Sequence, residues 1–107
     1  MTTFGEYIRE LRTGKGLTLT ELAALLKLDS ANLSKIENGK REFDEKRLEK
    51  LAIVFDLDLN KLKTEYFSDQ FAKKMYKFNC LPETLIVADK KTNYLRDRNV
   101  KQAEIEF

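Results

Sequence analysis

The chain has no histidine and a single cysteine, Cys80, in 107 residues. Without imidazole there is no histidine-based catalytic triad, no histidine zinc site and no acid–base relay of that kind. A lone thiol cannot close an internal disulfide, and Cys80 has no C-x-x-C partner, so it reads as a free thiol without a chemical task. No stretch approaches the ~18 uninterrupted apolar residues of a membrane span, and the first residues lack the apolar core of a secretory signal. The expected location is the cytoplasm, with no membrane partner. Net charge is scarce as well: 20 Lys and Arg against 18 Asp and Glu leave +2. There is no basic tail or acidic block, so any role for charge must come from where the cations gather.

What is present is 42% hydrophobic and 36% charged residues, a composition that suits a globular protein with a thickly charged surface. The length suits one compact domain with a short appendage.

The helix signals come in quick succession. Phe4, Tyr7, Ile8 and Leu11 fall at helical spacing before Gly14 and Gly16, which stop a first helix. Thr18 and Glu21 form a T-x-x-E capping pattern at the start of a second, which buries Leu22, Leu25 and Leu26 and ends near Lys27. Asp29 is an N-cap for a third helix and Gly39 its stop. A projection at ~100° per residue sets Leu33 and Ile36 on one side of that helix and Ala31, Ser34, Lys35 and Asn38 on the other. Asp44 is expected to cap a fourth helix through Leu48, Leu51, Ala52 and Phe55, and Asp58 a fifth through Leu59, Leu62 and Tyr66. Residues 1–66 thus read as an all-α domain of five short helices. After it, Ser68 is expected to cap a helix carrying Phe71, Met75 and Phe78, and Pro82 to open a last one through Leu85, Ala88, Thr92 and Leu95. Past Arg96 the chain is expected to fray, with Ile105 and Phe107 available to dock.

The segment "SANLSKIENGKR", Ser30 to Arg41, carries the functional signal. Two helices joined by a short turn, the second apolar inside and small and polar outside, make a helix-turn-helix. Such a second helix fits the DNA major groove, with its N-terminal residues nearest the base edges. Ser30 and Ala31 permit close approach of the backbone, Asn32 and Asn38 offer donors and acceptors, and Lys35 can donate to guanine O6 and N7. Ser34 shares that outer face. Lys40 and Arg41, just past the stop glycine, would meet phosphates.

"GLTLTELAALLKLDSANLSKIENGKR" resembles the λ-repressor-like, Xre-type helix-turn-helix family over residues 1 to about 66, with Leu22, Ala23, Leu33, Ser34, Ile36, Glu37, Gly39 and Arg41 in register. The resemblance implies base or groove contact from Ser30, Ala31, Asn32 and Lys35, and phosphate contact from Asn38 and Lys40. It also implies a phosphate near Thr18 and the backbone of Leu19, and a structural ion pair between Arg12 and Glu37. Three positions depart from the family pattern. Leu19 replaces a glutamine, Asp29 a serine or threonine, and Lys27 a turn glycine at which positive φ costs a side chain ~1 kcal/mol.

Asp44, Asp56 and Asp58 sit at helix ends, where carboxylates serve as caps rather than metal ligands. No metal and no cofactor are expected, and no enzyme. Phe67, Phe71, Tyr76 and Phe78 are expected in a core or a subunit contact. The expected function is a sequence-specific DNA-binding transcriptional regulator, a repressor type among the possibilities, acting as a homodimer on a partly palindromic operator of double-stranded DNA. Residues 67–107 would form a helical C-terminal extension for dimerisation or for a protein partner. The alternative is an antitoxin-type interaction protein that neutralises a partner through those helices, or a controller of a restriction-modification operon.

Overall fold

A computed structural model describes the backbone of residues 2–106 and the side chains of residues 2–99. Among the described residues all regular structure is helical. The order is α1 (Phe4–Gly14), α2 (Leu19–Leu26), α3 (Ser30–Glu37), a single 3-10 turn (Glu45–Arg47), α4 (Leu48–Phe55), α5 (Leu59–Phe78) and α6 (Glu83–Glu106).

Local chemistry explains most of the boundaries. Thr3 and Glu6 form a capping box on α1, and Thr18 and Glu21 form another on α2. Gly16, at φ 71°, lets the chain leave α1 in the left-handed region that glycine enters at least cost. Asp58 opens α5 by accepting from the backbone N–H of Asn60 at 2.8 Å. Asp44 does cap, but what it caps is the 3-10 turn ahead of α4, accepting from Lys46 N–H at 3.0 Å. The i+2 bond to Lys46 holds a tight turn there, and α4 begins one turn later than its acidic signal suggests.

The chain divides into two compact units, Met1–Phe71 and Ala72–Phe107. The core of the first is built from Ile8, Leu22, Leu26, Leu33, Leu51 and Leu62, all fully buried. Burial of each such side chain contributes on the order of 2 kcal/mol. Phe4, Phe43 and Tyr66 close one end of it, with Phe4 and Tyr66 edge-to-face at 5.1 Å between centroids. The Tyr66 hydroxyl donates to the Phe43 carbonyl at 2.7 Å, so the ring is buried without stranding its polar tip.

Three expectations are corrected here. Leu25 does not join the buried stripe of α2; it is 46% exposed, and Ala23 takes the inward place between Leu22 and Leu26. Ser68 caps nothing. It lies inside α5, its hydroxyl donating back to the Glu65 carbonyl at 3.2 Å, and the expected fifth and sixth helices are one helix of 20 residues. Serine is a cap only where the backbone offers it free N–H groups, and in mid-helix those are already bonded. The last helix does not stop at Arg96 but runs to Glu106. Docking of Ile105 and Phe107 lies outside the described residues. In the second unit Leu81, Leu85, Ile86, Val87, Tyr94 and Leu95 are all exposed.

Candidate nucleic-acid interface

The joint between α2 and α3 occupies three residues. Lys27 adopts φ 55° and ψ 45° as the left-handed C-cap of α2, the conformation its position demands. Behind it Leu28 N–H donates to the Ala23 carbonyl at 2.8 Å, so the terminal carbonyls of α2 are satisfied while the chain turns sharply. Arg47 braces the same end, donating through Nε to the Leu26 carbonyl at 3.0 Å and through Nη2 to the Lys27 carbonyl at 3.3 Å. Asp29 then caps α3, accepting from Ala31 N–H at 2.8 Å.

Helix α3 is anchored from below. Leu33, Ile36 and Glu37 are buried, while Ala31, Lys35 and Asn38 are exposed and Ser30, Asn32 and Ser34 half-buried. Lys40 and Arg41 are exposed beyond the Gly39 stop, where φ is 75°. Eight of the candidate groove and phosphate residues, Ser30, Ala31, Asn32, Ser34, Lys35, Asn38, Lys40 and Arg41, therefore lie on or just past the outer side of one short helix. Thr18 stands at the N-terminus of α2, its hydroxyl oxygen accepting from Glu21 N–H at 3.1 Å and its backbone N–H donating to the Glu21 carboxylate at 2.9 Å. Hydrogen bonding from Thr18 to the Glu21 carboxylate, by the backbone N–H first and the side-chain hydroxyl second, holds that carboxyl below the usual carboxylate range. Leu19 packs its side chain against the core, which leaves its backbone as the only group it can offer a ligand.

Two of these residues are tied to each other. Arg41 Nη1 donates to Asn32 Oδ1 at 2.8 Å, drawing the segment after α3 back over the start of that helix.

Arg12 and Glu37 are paired as expected. Glu37 is 3% exposed, and its Oε2 accepts from Arg12 Nε at 2.7 Å while its Oε1 accepts from Arg12 Nη2 at 3.0 Å. The remaining Arg12 nitrogen, Nη1, donates to the Leu17 carbonyl at 3.0 Å. Hydrogen bonding to Glu37 raises the Arg12 pKa above its ordinary value, against burial, which opposes the charge. A two-pronged pair of this kind sets the position of α3 on α1 more than it adds net stability.

Sequence reasoning missed Arg9 and Gly5. Arg9 lies one turn before Arg12 on α1 and also donates to Glu37, Nε to Oε1 at 3.3 Å; the i, i+3 spacing of the two arginines was the available signal. Gly5 is buried where α1 crosses the end of α3. A Cβ there would fall on the Ile36 carbonyl oxygen and lie 3.0 Å from that of Glu37. A glycine inside an otherwise good helix was its signal.

Known proteins resemble the chain over this region. The sequence model of the helix-turn-helix family matches residues 8–62. The uncharacterized HTH-type transcriptional regulator RghRB of Bacillus subtilis (strain 168) is 51% identical over 41 residues, 38% of this chain and 30% of that protein. The ImmF control region 10 kDa protein of Bacillus phage phi105 is 42% identical over 59 residues, 55% of this chain and 66% of that protein. Among solved structures, the restriction-modification controller protein C.AhdI from Aeromonas hydrophila is similar at 39% identity and a TM-score of 0.50, over 55% of this chain and 89% of that one. The match to RghRB spans under a third of that relative's length. The matched residues run from α1 into α5 and take in the Lys27 turn, the anchored α3 and the Arg12–Glu37 pair, and the chain belongs to the helix-turn-helix family, of the λ-repressor-like, Xre type.

Proposed function

We propose that the protein is a sequence-specific DNA-binding transcriptional regulator that inserts α3 into the major groove of double-stranded DNA. The observation that carries this reading is the two-sided character of α3. Leu33, Ile36 and Glu37 fasten it from within, and its outer side offers only small or polar groups. Ser30, Ala31, Asn32, Ser34 and Lys35 are the groove-facing set. Thr18, the Leu19 backbone, Asn38, Lys40 and Arg41 are the phosphate-facing set, which positions the helix without reading sequence. Residues 1–66 act as the DNA-binding domain and 67–107 as the extension, in a cytoplasmic protein without enzymatic activity.

The regulator works as a homodimer on a partly palindromic operator. Two recognition helices about 34 Å apart read two half-sites and lift the weak affinity of one module. Support for self-association is the apolar surface of α6, where Leu85, Ile86, Tyr94 and Leu95 are half or more exposed. The same surface favours a second reading, in which it holds a protein partner, as an antitoxin would, and the DNA domain regulates the pair's own operon. Sedimentation separates the two. Leu85→Lys with Leu95→Lys dissociates a dimer under the first reading, and leaves an already monomeric chain unable to hold its partner under the second.

Selection of bound duplexes from a random pool, repeated with two variants, tests the main proposal. Lys35→Ala relaxes base preference at one position per half-site by ~1–3 kcal/mol, while Lys40→Ala weakens all sequences alike and lowers the salt slope by about 1. A selected motif that neither substitution alters would defeat it.

A further inference from the structure

Arg9 belongs to α1, outside the helix-turn-helix, yet it reaches the residue that ends α3. Its Nε is held by the buried Glu37, and its Nη2 donates to Asn38 Oδ1 at 2.5 Å. Asn38 in turn donates through Nδ2 to the Ser34 carbonyl at 2.9 Å. Both ends of the amide are thereby specified. Turned the other way, its NH2 would face the guanidinium donors and its oxygen the Ser34 carbonyl, two mismatches at once. Arg12 cannot replace Arg9 in this, because its guanidinium is committed to both Glu37 oxygens and to the Leu17 carbonyl.

We propose that Arg9 is a positioning residue for the DNA backbone, locking the Asn38 side chain so that the N–H of its NH2 group not taken up by Ser34 is offered to a phosphate. The inference rests on the reading that α3 docks on DNA, and adds to it how one contact is prepared. A phosphate oxygen only accepts, so only the NH2 end of Asn38 can bind it, and the oxygen end would repel it. An exposed asparagine left to itself samples both orientations and loses freedom on binding, whereas this one is set in advance. The cation behind Oδ1 also polarises the amide and strengthens its N–H groups as donors. Although the Arg9 side chain is 44% exposed, the Glu37 side chain that anchors it is 2% exposed, which gives the clamp a fixed end.

The test uses the full chain as wild type, Arg9→Gln, Asn38→Ala and the double variant. Binding to a mixed-sequence duplex is measured over a range of salt, thermal melting is followed alongside, and NMR follows the Asn38 NH2 signals without DNA. Each single substitution weakens binding roughly threefold to tenfold, the order expected of one hydrogen bond of ordinary net strength, and the double variant binds no worse than Asn38→Ala. The salt slope of Arg9→Gln stays at the wild-type value, since a neutral amide displaces no counterion, whereas an arginine that itself touched a phosphate would take about one unit of slope with it. The Asn38 NH2 signals of Arg9→Gln shift and broaden. Multiplicative losses in the double variant, a reduced slope, or unchanged Asn38 signals in a variant that still binds DNA would each overturn the positioning role. A wild-type chain that binds no duplex at all would instead sink the DNA reading itself.

Discussion

Replacing Gly5 with alanine tests the way α3 is mounted. In most helix positions Gly→Ala stabilises by up to ~1 kcal/mol, since alanine loses less backbone entropy on folding. At Gly5 the added Cβ would land on the Ile36 carbonyl oxygen, with the Glu37 carbonyl oxygen 3.0 Å away. Neither obstacle is the loose end of a side chain. The Ile36 carbonyl accepts from Gly39 N–H at 3.1 Å as part of the stop of α3, so moving it loosens that stop or pushes α1 off α3. Overpacking costs ~1–3 kcal/mol, and an overlap with two backbone oxygens belongs in the upper part of that range, ~2–3 kcal/mol, which outweighs the propensity gain and leaves a net loss of ~1–2 kcal/mol. For a domain of 60–100 residues that corresponds to a fall in Tm of roughly 4–16 °C. Gly14 is the control: it ends the same helix, and a Cβ there meets nothing within 4 Å. Gly14→Ala is expected to leave Tm unchanged or raise it. Thermal and urea unfolding of the two variants should therefore move in opposite directions, and a Gly5→Ala protein at least as stable as wild type would refute the close crossing of α1 and α3.

Glu37→Ala leaves Arg12 without its acceptor in a site where its side chain is only 14% exposed, so it is expected to cost ~3 kcal/mol, read as a lowered urea midpoint. Lys27→Gly removes the left-handed strain at φ 55° and is expected to stabilise by up to ~1 kcal/mol, while Lys27→Ala, which keeps a Cβ, does not. The lowered Glu21 pKa means that the folded state holds the carboxylate more strongly than the unfolded chain does. The stabilisation from this cap is accordingly full above the ordinary glutamate pKa and disappears as pH falls through the lower folded value. NMR titration should place Glu21 below ordinary glutamates, and Thr18→Ala, which removes the side-chain bond and keeps the backbone one, should bring it part of the way back.

The legible features were those whose causes lie within a few residues. Thr18 with Glu21, Asp29 and Asp58 cap the helices at whose starts they stand, because a side chain and the N–H groups it satisfies are at most three residues apart. The left-handed turn at Lys27 was legible from the family pattern, and the outward set Ala31, Lys35 and Asn38 from helical phase alone, since the period does not depend on what the helix packs against. Ser68 shows the limit of local signals: the residue type was right for a cap, but a cap needs a helix end, and the helix passed through.

Composition and spacing by themselves thus determined the helical class, a break between α2 and α3 and the side of α3 that stays polar, while the left-handed form of that break came from the family pattern. Only the tertiary structure decided that Leu25 stays outside, that Gly5 lets two backbones touch, and that Arg9 spans from Glu37 to Asn38. Those outcomes depend on which faces of different helices come to lie together. The partners are 28 or more residues apart for Arg9, and a pairing across that distance is fixed by the packing of α1 on α3, not by any pattern within either helix.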